Sequence, residues 1–557
     1  MEYQIAKQHF PIMGNSTLFI VPFHYGEENE HQVELTKNFV VDESDTSLWT
    51  LETKMLTDEG DGSVIYPYIM SFLQGQMMDE ECKTDGHLVI YSIADIDRRK
   101  EQTTKFEQRT IIRKFWNKFV QSTHTIDVGT KNNPYLLSFK FNNGKHNTLK
   151  PHLFIFPSAR IGLLSFGIEL NMPNATTNDL KLLNYSLHKL SKPVARCVCT
   201  SLNICGQQDS DIRKHKEEYF NNARLFLAEH KDNKKERATE GDEVVEFSWN
   251  MKNLIDTMLK DFHGIVNSST NVEEHRSYDL FTPPRIHLFT FCGIDDSQDN
   301  ILTKEDILPE LYSLSRCVND KYLLPFEEIS FKEGYLQTFE NVYVSSTIEG
   351  TSFIALSKEQ NSKFFEGFTG ILALRYVWIY LLAVIQRYSL LNMDRMLTVL
   401  EAKDAKIKKD SKDKRTKRDT DKVKKHSAML WRLLETIRNV KVRCHFTDIS
   451  PFTQHNEFYD HCCDKLHVSS AFIEIDHKTK ALNLTMGHDL QVLKEAREDR
   501  LNLFLAIFAV LQGISVFAEL INALFKGDYY IALLYFALIL ISVVIVAYVY
   551  KDKKNYN

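Results

Sequence analysis

The chain lacks the short motifs that mark common chemistries. It has no GxxxxGK[ST] phosphate loop, no HExxH and no G-x-S-x-G elbow, so nucleotide hydrolysis at a P-loop, zincin proteolysis and α/β-hydrolase chemistry have no residues to stand on. Scattered Asp, Glu and His form no defined catalytic set, and the expectation is a protein that is not an enzyme. Charge of one sign is also missing. A net charge of -6, with 25% charged residues, gives no global basic field and no direct nucleic-acid partner. The first ten residues, MEYQIAKQHF, lack a basic region followed by an apolar run, so no secretory signal is expected there. The nine cysteines have no framework-like spacing, which fits reduced thiols rather than disulfides.

Metal-ligand spacing is weak. Cys197-x-Cys199 with Cys205 has no matching His/Cys pair nearby. The set His455, His461, Cys462, Cys463 and His467, with Cys444 and His445 upstream, is denser. Adjacent helical residues point about 100° apart, so one ion cannot easily use both His461 and Cys462. Bundle packing is expected there, with no metal.

Two long apolar segments dominate the C-terminal end: Leu501 to Phe525 and Tyr529 to Tyr550, separated by Lys526, Gly527 and Asp528. Each is long enough to cross a hydrocarbon core of about 30 Å. The turn forces an antiparallel hairpin. Lys494, Arg497 and Arg500 precede it and Lys551, Lys553 and Lys554 follow it, so both termini are expected in the cytoplasm. Tyr529, Tyr530, Tyr548 and Tyr550 lie at the ends of the second span, where aromatic belts form.

The first span carries a polar stripe. Gln512, Ser515, Glu519 and Asn522 are spaced 3, 4 and 3 apart, on one helical face. Asn502 continues it, with Leu505 and Ala509 between. Such residues face a water-filled cavity or a partner helix rather than lipid. Two helices cannot enclose a pore, so a pore-lining role requires an oligomer. Glu519 would form a carboxylate ring near the outer mouth, and Leu505 with Phe508 or Ala509 could close the pore by dewetting. The alternative is polar glue between the helices of a packed anchor.

The rest of the chain divides by pattern. Residues 1–355 read as a cytoplasmic α/β ligand-sensing domain. Strands are expected at Thr17–Phe23, His87–Ile93, Leu153–Phe156, Ile161–Leu170 and Ile286–Phe291. Helices are expected at Thr104–Val120, Asn178–Leu190, Ile212–Glu229 and Trp249–Asp261, with an exposed loop at Lys231–Glu243. Residues 356–487 read as a helical bundle. Its first helix, Ser362–Lys408, has a very apolar middle, Tyr376–Ile385, bracketed by Arg375 and Arg387. That stretch is too short to cross a bilayer and is expected to be buried. Lys403 to Lys425 carries 12 Lys or Arg against 5 Asp, the mark of a solvated helix end with a turn. Such a basic segment could also lie near anionic lipid. Helices follow at about Val423–Val442 and Gln454–Val468. A last helix beginning near His488 forms a stalk over 488–500 and runs into the spans 501–525 and 529–550, with a cytoplasmic tail at 551–557.

A cytoplasmic α/β domain, long helices, a stalk and a two-span hairpin together resemble the CorA family of metal-ion transporters. In that family the first span lines the pore of a pentamer and both termini are cytoplasmic. The family's Gly-Met-Asn at the outer end of the first span is replaced here by Asn522-Ala523-Leu524. The longer chain and this departure make it similar to the CorA-like membrane effectors associated with type III CRISPR systems. That resemblance implies a homopentameric channel in a bacterial inner membrane, opened by a nucleotide second messenger such as SAM-AMP, an adenylate conjugate of S-adenosylmethionine. An ordinary divalent-cation transporter, with the metal ion as cargo, and a membrane-tethered signalling or structural protein are the alternatives. A nucleotide pocket needs Arg or Lys beside aromatics, and Arg160, Arg375 and Arg387, flanked by apolar or aromatic residues, are the candidates.

Overall fold

The computed structural model describes residues 9–25, 49–51, 65–74, 88–92, 116, 119–129, 133–142, 149–191, 194–200, 226–227, 244–259, 278–281, 284–295, 302–319, 334–357, 375–411, 417–526, 529–531, 533–534, 536–537 and 540. The chain divides into two compact units, residues 1–475 and 476–557.

The described strands are β1 (Ile12–Tyr25), β2 (Thr50–Leu51), β3 (Val89–Ser92), β4 (Thr123–Asp127), β5 (Leu136–Phe141), β6 (His152–Phe156), β7 (Ile161–Leu170), β8 (Ala195–Thr200), β9 (Phe226–Leu227), β10 (Val244–Trp249), β11 (Tyr278–Leu280), β12 (His287–Asp295), β13 (Tyr335–Phe339), β14 (Val342–Ser346) and β15 (Gly350–Ser357). The described helices are α1 (Pro67–Gln74), α2 (Thr177–Leu187), α3 (Met251–Met258), α4 (Lys304–Ser315), α5 (Val377–Ser411), α6 (Lys417–Cys444), α7 (Thr453–Lys465) and α8 (Val468–Lys526).

In the first unit the strands form one sheet, ordered β13-β14-β15-β12-β1-β7-β5-β4-β8-β10-β9. β11 also pairs with β1, and β2-β3-β6 branches from β7. Among the described pairs, β12 beside β15 is parallel and the others are antiparallel. The centre is β1 between β12 and β7. β7 is buried at every position except Glu169, which is why it reads as a mostly apolar run without strict alternation. Gly162 is required at its start, since a Cβ there would lie 2.1 Å from the Phe23 ring.

Helices α2 and α4 lie beside this centre. Each opens with a capping box, Thr176 with Asp179 and Thr303 with Asp306, which satisfies two orphan donors at each helix start. A buried ion pair, Lys181 Nζ to Glu310 Oε1 at 2.7 Å, joins them. Another layer is α5, whose residues 376–385 are all at most 2% exposed. Trp378 meets Phe154, Tyr380 meets Phe289 and Tyr376 meets Phe353. α6 and α7 pack on the same helix. Gln386 ties the three together, donating to the Cys444 carbonyl and to Tyr459 Oη. The apolar stretch 376–385, which opens α5, is thus explained by partners around it.

Several expected elements shift. The helix expected over Ile212–Glu229 is a strand where it is described. Phe226 and Leu227 pair with Ser248 and Phe247, and cross-strand bonding overrides local helical pattern. Trp249 ends β10, and Asn250 caps α3 by accepting from the Asn253 amide. The last helix begins at Val468, not near His488. The left-handed His467 (φ 55) marks the break after α7, and Gly487 costs about 1 kcal/mol without ending the helix. Of Thr104–Val120, only residues 116, 119 and 120 are described. Lys231–Glu243, 362–374, Cys205 and 541–557 lie outside the described residues.

In the second unit the backbone of α8 is helical to Lys526. Among the described residues no helix is long and apolar enough to cross a membrane. The side chains at 509–511, 513 and 523 lie outside the described set, as do residues 527–528, 532, 535, 538–539 and 541–557, so neither expected span is described as a whole. Most of the large apolar side chains described there are exposed, among them Phe504 at 72%, Phe525 at 88% and Tyr530 at 93%, whereas Leu520 is buried at 8%.

Candidate functional site: a basic strip between the sheet and α5

Arginines and histidines collect where the end of β1 meets α5. Tyr388, Asn392 and Arg395 follow one another at i, i+4 and i+7, so they share one face of α5. They face the sheet. Tyr388 Oη is 2.6 Å from His287 Nε2 at the start of β12. Asn392 Nδ2 donates to the Ala159 carbonyl at 2.7 Å, and Arg395 Nε donates to Asn392 Oδ1 at 3.1 Å. Seven helical residues span about 10 Å, so the strip has two levels.

At the first level are Arg285, Arg387, His287 and His188. Burial pushes His287 down to about 3, with His188, Arg387 and Arg285 adding to the fall. Burial likewise lowers His188, which is bonded to the Ile286 backbone. Both imidazoles are therefore neutral near pH 7. Burial also lowers the Arg387 guanidinium, the nearby Tyr388 opposes this, and Arg285 reinforces it by repulsion. Among the described residues neither Arg285 nor Arg387 has a carboxylate partner. Arg285 Nη1, His287 Nδ1 and His188 Nε2 are buried without a hydrogen-bond partner.

At the second level are His24, Tyr25, Asp279, Arg160 and Arg395. His24 sits opposite Asp279 in the β1/β11 register. Burial and then Arg395 push it down to about 4, against the pull of Asp279. Arg160 follows the short 3-10 turn Pro157–Ala159 with φ 53. Its carbonyl accepts from the Tyr25 amide at 3.2 Å. Phe281 joins the levels: its ring is 5.1 Å from His24 and 4.7 Å from Tyr388.

The structure thus brings Arg160 and Arg387 into one strip. Arg375 is elsewhere, twelve residues before Arg387, and its charge acts on His455. Sequence reasoning missed Arg285, Arg395, His24, His287, Phe281 and Tyr388. The polar spacing Tyr388, Asn392, Arg395, just after the apolar stretch 376–385, was the available signal.

The remaining candidates lie apart from this strip. On α8, Asn502, Leu505, Gln512, Ser515, Glu519 and Asn522 are exposed in the single chain, and the Ala509 side chain is outside the described set. In the His/Cys cluster, Cys462 Sγ is 3.7 Å from Ser346 Oγ and Cys463 Sγ is 3.6 Å from Gln386 Oε1. His455 Nδ1 meets Ser450 Oγ at 3.1 Å. Burial lifts the Cys462 thiol to about 12. Among the described residues no group of three metal-ligating side chains converges.

No protein-family model matches the chain, and no curated protein does. Among solved structures it is similar to the CorA magnesium transporter from Methanocaldococcus jannaschii, at 15% identity over 50% of this chain and 92% of that one, with a TM-score of 0.14. A TM-score that low does not establish a common fold, and the functional reading rests on this chain's own residues.

Proposed function

We propose that the chain is the subunit of an oligomeric, ligand-gated membrane channel of the CorA-like kind. The observation that carries this reading is the polar face of α8, Gln512, Ser515, Glu519 and Asn522, set in the apolar run 501–525. Amide, hydroxyl and carboxylate groups at membrane depth require a polar environment, and a ring of copies supplies one. In this reading the first unit senses the ligand, residues 501–525 and 529–550 form a hairpin in a bacterial inner membrane, and both termini are cytoplasmic. The ligand is a nucleotide second messenger of the SAM-AMP type, and opening discharges ion gradients as an antiviral response of a type III CRISPR system. The strip supports the choice of ligand, because it offers guanidinium groups beside the rings of Tyr388 and Phe281.

Ion flux from liposomes tests this. Leu505→Ser removes an apolar side chain that would close the pore by dewetting, so the variant should leak without a trigger. Glu519→Gln removes the carboxylate ring and should lower cation conductance or change selectivity. If both variants match the parent, this face lines no pore, and the chain is a tether. Growth rescue of a magnesium-uptake mutant by the unstimulated parent would instead favour a transporter.

A further inference from the structure

We infer that Arg285 and Arg387 form a binding subsite for the phosphate group of a soluble phosphate ester, at the first level of the strip. This deepens the ligand-gated reading but does not depend on the pore. Arg285 lies two residues before His287 and Arg387 is adjacent to Tyr388, and the 2.6 Å contact of His287 Nε2 with Tyr388 Oη brings the two segments together. Two half-buried guanidiniums of like charge beside that contact, without a carboxylate among the described residues, are unfavourable by themselves. Arginine forks match phosphate oxygens, and an anion between them would remove the repulsion.

A separate observation concerns hydrogen bonding. Arg285 Nη1 is a buried donor without an acceptor, and His287 Nδ1, on a residue 1% exposed, is also unpartnered. Buried polar groups are seldom left so. One side chain touching the subsite reports on α5: Tyr388, bonded to His287, is adjacent to Arg387. Phe281, against the Tyr388 ring, gives the ester's organic part an apolar surface. Asn392 and Arg395, one and two turns further along α5, mark the direction in which a longer ligand would extend.

The test uses the full-length protein in detergent, with pyrophosphate and adenosine monophosphate as probes. Calorimetry should show binding of at least one probe, and thermal denaturation should show a rise in Tm that grows with its concentration. Arg285→Gln and Arg387→Gln should each weaken binding at least tenfold. Arg387→Lys should keep part of it, and Arg438→Gln, on the exposed side of α6, should bind like the parent. Without ligand, Arg387→Gln should leave Tm unchanged or raise it, because repulsion is relieved. A clear fall in Tm for that variant, with probe binding intact, would show that the arginines serve packing and would overturn the inference. So would binding by neither probe, or a response confined to micelles doped with phosphatidylglycerol. Failed binding with normal ion flux removes only this subsite, whereas normal binding without flux removes only the pore.

Discussion

Lys181 and Glu310 illustrate what single residues contribute here. The pair is almost sealed from water, with side-chain exposures of 1% and 10%, and Glu310 Oε2 has no hydrogen-bond partner. Removing one partner of such a pair typically costs about 3–5 kcal/mol, while replacing both with apolar groups is often neutral. Glu310→Gln should therefore lower Tm strongly, and Lys181→Met with Glu310→Leu should recover most of the loss in thermal denaturation. His124 makes the corresponding case for pH. Its Nδ1 accepts from Trp249 Nε1 at 3.1 Å and its Nε2 donates to the Phe119 carbonyl at 2.9 Å, so the neutral ring is fully used. Burial depresses it to about 4, against 6.5 for the free side chain. A depressed folded value means that the unfolded chain takes up the proton first. The stabilisation is complete above about pH 6.5 and is lost as pH falls toward 4, at about 1.4 kcal/mol per pH unit. Tm measured between pH 7 and 4 should fall, less steeply in His124→Gln; equal slopes would assign the pH dependence to other groups.

At the scale of elements, legibility followed burial. β7 was plain in the sequence as Ile161–Leu170 because both of its faces are covered. β4 (THTID) and β8 (ARCVCT) were not, because short strands bear little apolar signal and the pairing of β4 with β8 joins segments far apart in the chain. The strip shows the same division. Arg160 and Arg387 stood out as cations among apolar neighbours. Arg285 and Arg395 gain meaning only when β1 pairs with β12 and α5 packs alongside, which local pattern does not record. The last helix is expected from near His488, yet α8 starts at Val468 and passes through Gly487. Alanine is favoured over glycine inside a helix by roughly 0.5–1 kcal/mol. Gly487→Ala should therefore raise helix content or Tm slightly by circular dichroism. A loss of helicity would show that the chain needs glycine's freedom at that point.

For the whole molecule, the described exposure is that of one chain alone. Gln512, Ser515, Glu519 and Asn522 are all open to the surroundings, as are Ile514, Phe517 and Phe525, at 63%, 54% and 88%. A surface with polar and large apolar groups on different sides of one helix satisfies neither water nor lipid by itself. In a bilayer the apolar sides can meet acyl chains, and the polar side must then meet a partner of the same kind or a water-filled space. A closed ring of identical subunits satisfies every copy equally, whereas an open arrangement would leave polar faces at its ends. Native mass spectrometry of the protein released from mild detergent should therefore show a single closed oligomer, with five copies expected from the CorA-like reading. Gln512→Leu combined with Ser515→Ala removes polar groups from the shared face and should weaken that assembly or lower ion flux. A protein that stays monomeric across detergents and concentrations would leave the polar stripe without a pore to line, and the tether would then be the better account.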